Sequence, residues 1–80
     1  MKLAFYGPLG DAIAPQLTWC EDECSTVGDL RRALSRRYPE AGTDLSADRS
    51  RAAIDDRFVT DDTTLAGVDL VEFLPPVSGG

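Results

Sequence analysis

Apolar and polar positions alternate with a period of two from Lys2 to Tyr6, with Leu3 and Phe5 on one side and Lys2, Ala4 and Tyr6 on the other. That pattern predicts a half-buried strand, and Gly7-Pro8 punctuates its end. A small segment follows from Leu9 to Ala14. Past Pro15, the β-branched and aromatic run Gln16-Leu17-Thr18-Trp19-Cys20 predicts a second strand paired to the first as a hairpin. The acidic Glu21-Asp22-Glu23 then reads as a solvated turn. The period changes at Thr26, which with Asp29 three residues later has the spacing of a capping box. Val27, Leu30, Leu34 and Tyr38 fall at i, i+3, i+7 and i+11, a single apolar stripe along a helix. Arg31, Arg32, Arg36 and Arg37 are expected on or beside its polar face. Pro39 ends the helix by disfavouring helical backbone at Tyr38.

Glu40 to Ser50 is small and polar and predicts a loop. Arg51-Ala52-Ala53-Ile54 begins a third strand, Asp55-Asp56-Arg57 turns, and Phe58-Val59 leads into a second polar turn at Thr60-Asp61-Asp62-Thr63. Leu70-Val71-Glu72-Phe73-Leu74 is the last strand, with Val71 and Phe73 expected under the helix and Leu70, Glu72 and Leu74 facing the other way. The order of elements predicts an α+β layer in which one main helix packs across a mixed sheet. Residues 1–74 form the body and 75–80 a tail.

At 80 residues the chain is one domain with little room for an enclosed catalytic cavity, which favours a binding or carrier module. Hydrophobic residues make up 42% and no apolar run approaches the length needed to span a bilayer. The amino-terminal run has no signal-peptide pattern, so the expected location is cytoplasmic. The net charge of −6 opposes binding to nucleic acid or anionic lipid and suits a basic protein partner.

Histidine is absent, which removes the usual Ser/His and Cys/His nucleophilic pairs. Cys20 and Cys24 have three intervening residues where the redox motif has two, and a zinc site would need further ligands, so both read as incidental thiols and no metal site is expected. Adjacent Asp55/Asp56 and Asp61/Asp62 point to opposite faces of an extended backbone and read as turn residues. The candidate chemistry lies in Phe73-Leu74-Pro75-Pro76-Val77-Ser78-Gly79-Gly80. Pro75 and Pro76 stiffen an extended exit, and glycines without a Cβ at 79 and 80 can thread a narrow channel, which makes the Gly80 carboxylate the candidate reactive group. Tyr6, Phe58 and Leu74 are expected to form an exposed apolar cluster at the root of this tail, with Phe58 in the core as the alternative.

Four stretches together carry a family resemblance: Leu3-Ala4-Phe5-Tyr6-Gly7, Thr26-Val27-Gly28-Asp29-Leu30, Phe58-Val59-Thr60-Asp61-Asp62-Thr63-Thr64-Leu65 and the tail. With the element order and length, they resemble the ubiquitin-like β-grasp sulfur carriers. The ending is similar to that of the small subunit of molybdopterin synthase. Two turns depart from that pattern, with Asp55 where the family usually has Asn and Gly67-Val68-Asp69 where it has Asp-Gly-Asp.

The resemblance implies a non-catalytic subunit with no permanently bound cofactor. ATP is consumed by a ubiquitin-activating-enzyme-like adenylyltransferase, and Gly80 carries AMP and then sulfur as a thiocarboxylate. The implied partners are that enzyme, a sulfur donor system and the large catalytic subunit of molybdopterin synthase in a heterotetramer of two small and two large subunits. There the sulfur passes to cyclic pyranopterin monophosphate. Gly79, Pro75, Pro76, Val77 and Ser78 are implied to thread into or contact the partners, together with Tyr6, Phe58 and Leu74. The alternatives are a sulfur carrier for thiamine, tRNA or cysteine pathways and a ubiquitin-like modifier conjugated through Gly80.

Overall fold

The computed structural model describes residues 1–19 and 24–75. Strand β1 spans Lys2–Phe5, helix α1 Pro8–Ala12, β2 Gln16–Thr18, helix α2 Val27–Arg37, β3 Arg51–Ile54, β4 Arg57–Val59 and β5 Leu70–Leu74. A single 3-10 turn, Pro39–Ala41, follows α2. The five strands form one sheet in the order β2-β1-β5-β3-β4. The first and last strands pair in parallel at its centre and the other neighbours are antiparallel, so the sheet is mixed. With α2 packed across one face, this is the α+β layer that the order of elements predicts and the ubiquitin-like β-grasp architecture that the resemblance implies.

The capping box forms as the spacing requires. The Asp29 N–H donates to Thr26 Oγ1 at 3.2 Å, and the Thr26 N–H donates back to Asp29 Oδ2 at 3.3 Å. The stripe then turns inward, with Val27, Leu30 and Leu34 fully buried and Tyr38 packed at the core margin. Opposite them lie Leu3, Phe5, Val71 and Phe73, the last two as expected. The rings of Phe5 and Phe73 stack at a centroid separation of 5.5 Å, within the range of favourable aromatic pairs.

Several expectations change. Strands β1 and β2 pair antiparallel as expected, and the small segment between them contains α1, whose Pro8 sits in the first turn, where its missing N–H costs nothing. Leu9 from this helix fills the core; five residues are too few for a helical period to show in sequence. Strand β2 ends at Thr18, but the Trp19 N–H still donates to the Met1 carbonyl at 2.8 Å and Trp19 is buried. Phe58 and Val59 belong to a strand, β4, rather than a lead into a turn.

Asp55 and Asp56 do form the turn between β3 and β4, at φ of 53° and 65°. With Ile54 facing Arg57, this is the two-residue hairpin geometry that Asp and Asn tolerate in the left-handed region. The polar-looking stretch from 40 to 50 is more than a loop, since Ala41, Leu45 and Ser50 are all buried.

Arg31 is the main correction: it is buried, not on the polar face of α2. Its Nε donates to Asp61 Oδ1 at 2.7 Å, and its terminal nitrogens donate to the carbonyls of Leu45 (2.6 Å) and Ser50 (3.0 Å) and to Ser50 Oγ (2.7 Å). The guanidinium also lies 5.3 Å from the Phe73 ring centroid. Four of its five N–H donors are thus hydrogen-bonded, which meets the condition for burying a charge. One side chain ties the helix to the 45–50 segment and to the turn before β5. Arg32, Arg36 and Arg37 remain exposed, as a solvated helix face requires.

Candidate functional site

The pleat divides the sheet into two faces. Phe5, Phe73, Ala52 and Val59 are register partners across the four strands from β1 to β4 and point toward α2. The next row, Gln16-Ala4-Glu72-Ala53-Phe58, points the opposite way, because successive residues alternate sides. Leu74 and Arg51 face each other one step further along this open side, and Leu70 lies opposite Lys2 at its far end. The three large exposed hydrophobic residues among the described residues, Tyr6 at 46%, Phe58 at 55% and Leu70 at 42%, all belong to this face.

Tyr6, Phe58 and Leu74 thus share one surface, and Phe58 is not in the core. They are not a compact cluster. Tyr6 and Leu74 end adjacent central strands, whereas Phe58 lies two strands from β5, with Arg51 between it and Leu74. The Arg51 guanidinium covers the Phe58 ring at 5.4 Å from its centroid, so the band is apolar with a cation laid over one end.

At the tail root, the Tyr6 N–H donates to the Phe73 carbonyl at 3.0 Å, extending the parallel ladder one step past β1. The chain then turns at Gly7 with φ 67° and ψ −144°, a conformation that essentially only glycine adopts. Pro75 lies directly against it, so that a Cβ at position 7 would approach Pro75 Cγ to 3.2 Å. A small cavity of about 160 Å³ opens beside this contact, lined by Tyr6, Pro8, Leu9, Asp44, Arg49 and Pro75. Pro76, Val77, Ser78, Gly79 and Gly80 lie outside the described residues, as does Cys20. The tail therefore starts from the central strand of the sheet, at the end where Tyr6 and Leu74 meet.

Glu72 occupies the middle of the open face, with its small register partners Ala4 and Ala53 on either side. The Tyr6 hydroxyl donates to Glu72 Oε2 at 2.8 Å. This hydrogen bond, reinforced by the carboxylate's negative charge, pushes the Tyr6 phenol above its ordinary pKa. The outward position of Glu72 is legible from the alternation in the last strand; its hydrogen bond to Tyr6 joins residues 66 apart and is not.

Cys24 is half-buried against the edge of the core. Among the described residues, no group of three or more Cys, Asp or Glu side chains is placed to hold a metal ion. No helix among them is long and apolar enough to cross a membrane.

Residues 3–80 match the model of the ThiS family. No curated protein matches the chain. Among solved structures, the crystal structure of SAMP1 from Haloferax volcanii has a TM-score of 0.74 at 24% identity, covering 99% of this chain and 97% of that one. The solution structure of the Haloferax volcanii HVO 2177 protein has a TM-score of 0.76 at 27% identity, covering 99% of this chain and 84% of that one. The likeness to SAMP1 is one of fold.

Proposed function

The chain belongs to the ThiS family of ubiquitin-like sulfur carriers, and from that premise we propose that it carries sulfur on Gly80 for molybdenum cofactor synthesis. The observation that supports this most is the continuity of the tail with the sheet. The family match runs through Gly80, and the tail leaves from the central strand β5 beside an open face bearing Tyr6 and Leu74. Pro75-Pro76-Val77-Ser78-Gly79-Gly80 favours the molybdopterin branch over other sulfur-carrier pathways.

A terminal carboxylate with a pKa of about 3.5 is an anion at neutral pH and a poor electrophile. Activation begins when a carboxylate oxygen of Gly80 attacks the α-phosphorus of ATP in the active site of an adenylyltransferase. Pyrophosphate leaves and an acyl-adenylate remains. A hydrosulfide equivalent from the sulfur donor adds to the acyl carbon and expels AMP, giving the thiocarboxylate. Gly79 and Gly80 pass through the narrow entrance of the large synthase subunit because neither has a Cβ. The sulfur, now the nucleophile, bonds to cyclic pyranopterin monophosphate to give a Gly80 acyl–sulfur–pterin thioester. Water then adds to the acyl carbon and cleaves its bond to sulfur, which leaves the sulfur on the pterin and returns the carrier as a carboxylate to be recharged. The chain supplies a reactant and a docking surface, and the catalytic side chains belong to its partners. Gly80 carries AMP and then sulfur only transiently, the ATP being consumed by the adenylyltransferase, and the whole cycle belongs in the cytoplasm.

The open face and the residues from Pro75 to Ser78 seat both the adenylyltransferase and the large subunit, in mutually exclusive complexes, because each must receive the same tail. Deleting Gly79 and Gly80 tests the assignment. Sulfur transfer to the pterin should disappear, while stability moves by no more than about 0.5 kcal/mol, as for surface changes. Transfer by the truncated chain contradicts the proposal.

A further inference from the structure

Glu72 is the sole carboxylate among the strand residues of the open face; its neighbours there are Ala4, Ala53, Tyr6 and Leu74, with Phe58 beyond. Tyr6 has a single hydroxyl proton, and it is committed to Glu72 Oε2. What remains at this point of the surface accepts hydrogen bonds and donates none: the second carboxylate oxygen and the lone pairs of the phenol. Among the described residues no cation is ion-paired with Glu72, and Lys2 stands at the far end of the face opposite Leu70. The ion pairs among those residues are Arg31 with Asp61 and Arg32 with Asp29, and Arg51 is held over Phe58.

We propose that Glu72 and Tyr6 form an acceptor-only station in the middle of the docking face, and that a protein partner seats an arginine guanidinium on it within an otherwise apolar contact. The inference rests on the docking reading above and specifies the chemistry of the partner. An apolar surface closing over this face strips water from the Glu72 carboxylate, and an unpaired buried carboxylate is strongly unfavourable. A wholly apolar partner is rejected for that reason, as is one presenting a carboxylate. A guanidinium is planar, always charged and donor-only, so it can bridge a carboxylate oxygen and a neighbouring phenol oxygen at once. The chain's net charge of −6 steers such a basic surface toward the face at long range. The buried pair then gives selectivity at contact.

The test uses the full-length chain and the adenylyltransferase of its own cell, purified by Gly80-dependent ATP–pyrophosphate exchange. Glu72→Gln keeps the shape of the side chain, and Glu72→Ala matches the alanines beside it. Each should weaken binding by about tenfold or more, as removing one member of a desolvated charge pair does. Each should also flatten the dependence of affinity on salt and leave thermal unfolding unchanged. Leu74→Glu is measured in parallel. If it weakens binding while both Glu72 variants retain wild-type affinity and salt dependence, the docking face stands and the guanidinium station is overturned. If Leu74→Glu has no effect, the docking face itself is wrong and the station falls with it.

Discussion

Gly7 and Pro75 are packed together at the root of the tail, so closely that a methyl group on Gly7 would come within 3.2 Å of Pro75 Cγ. Gly7 also has a positive φ of 67°, so Gly7→Ala meets backbone strain and a steric contact together. We expect a loss of about 1–3 kcal/mol in stability. Because the strain falls where the tail leaves the sheet, adenylation of Gly80 should fall by more than the unfolded fraction explains. Chemical denaturation and pyrophosphate exchange on the same preparation check this. A variant with wild-type stability would show that the turn relaxes freely.

Arg31 holds three segments together. Its carboxylate partner Asp61 is 45% exposed along the side chain, so solvent screens the ion pair and its contribution is modest. The buried hydrogen bonds to Leu45 and Ser50 matter more. Arg31→Ala leaves those carbonyls without a donor, at about 1–3 kcal/mol for each unsatisfied group. A total loss of about 3–5 kcal/mol is a large part of the roughly 4–12 kcal/mol expected for a domain of this size. Asp61→Asn should cost about 1 kcal/mol or less. Equal effects from the two substitutions, measured by urea denaturation, would show that the ion pair dominates.

The amino-terminal cap of α2 gives stability a pH dependence. The Ser25 N–H holds the Asp29 carboxyl below its ordinary value of 3.8, with further lowering by Arg32 and the Thr26 N–H. A carboxyl whose folded pKa is depressed contributes stability above its unfolded pKa, and the contribution is lost as pH falls through the folded value. Asp29→Asn should therefore be less stable than wild type at neutral pH. The difference in melting temperature should narrow as pH drops below about 4. A difference that stays constant with pH contradicts this origin. Thr26→Ala removes the other half of the cap and should cost about 1 kcal/mol.

Leu74→Glu should weaken binding to the adenylyltransferase and to the large synthase subunit by more than about 1 kcal/mol each, the level of an energetically significant interface position. Leu74 sits on the open face with only part of its surface covered, so the fold should remain intact. Unchanged affinity for both partners refutes the shared surface. Unfolding of the free variant instead places Leu74 in the core.

Short-range chemistry was legible in the sequence. The alternation in β1 and β5 places Leu3, Phe5, Val71 and Phe73 in the core, and Thr26 with Asp29 marks the start of α2 because the cap is built within four residues. The outward positions of Tyr6 and Leu74 likewise follow from the side of the strand each occupies, whereas that of Phe58 depends on its pairing with Ala53 in β3. What escaped depends on partners distant in sequence. Arg31 looks like a surface residue until Asp61, Leu45 and Ser50 are brought around it. Leu45 lies in a segment whose composition is that of a loop, yet it joins the core and its carbonyl accepts from Arg31. The Gly7–Pro75 contact depends on β1 and β5 being neighbours in the sheet, although Gly7 itself was read correctly as the end of a strand.

The central claim is that Gly80 carries sulfur, and an intact-mass measurement on the protein purified from its native cell tests it most directly. We expect a population heavier than the encoded chain by the replacement of one oxygen with sulfur, localised to Gly80 by fragmentation and lost after alkylation of the thiocarboxylate and hydrolysis. The population should vanish in cells lacking the adenylyltransferase. A chain found only with its unmodified carboxylate, together with lysine conjugates through Gly80 on other proteins, would contradict the carrier assignment and identify a modifier.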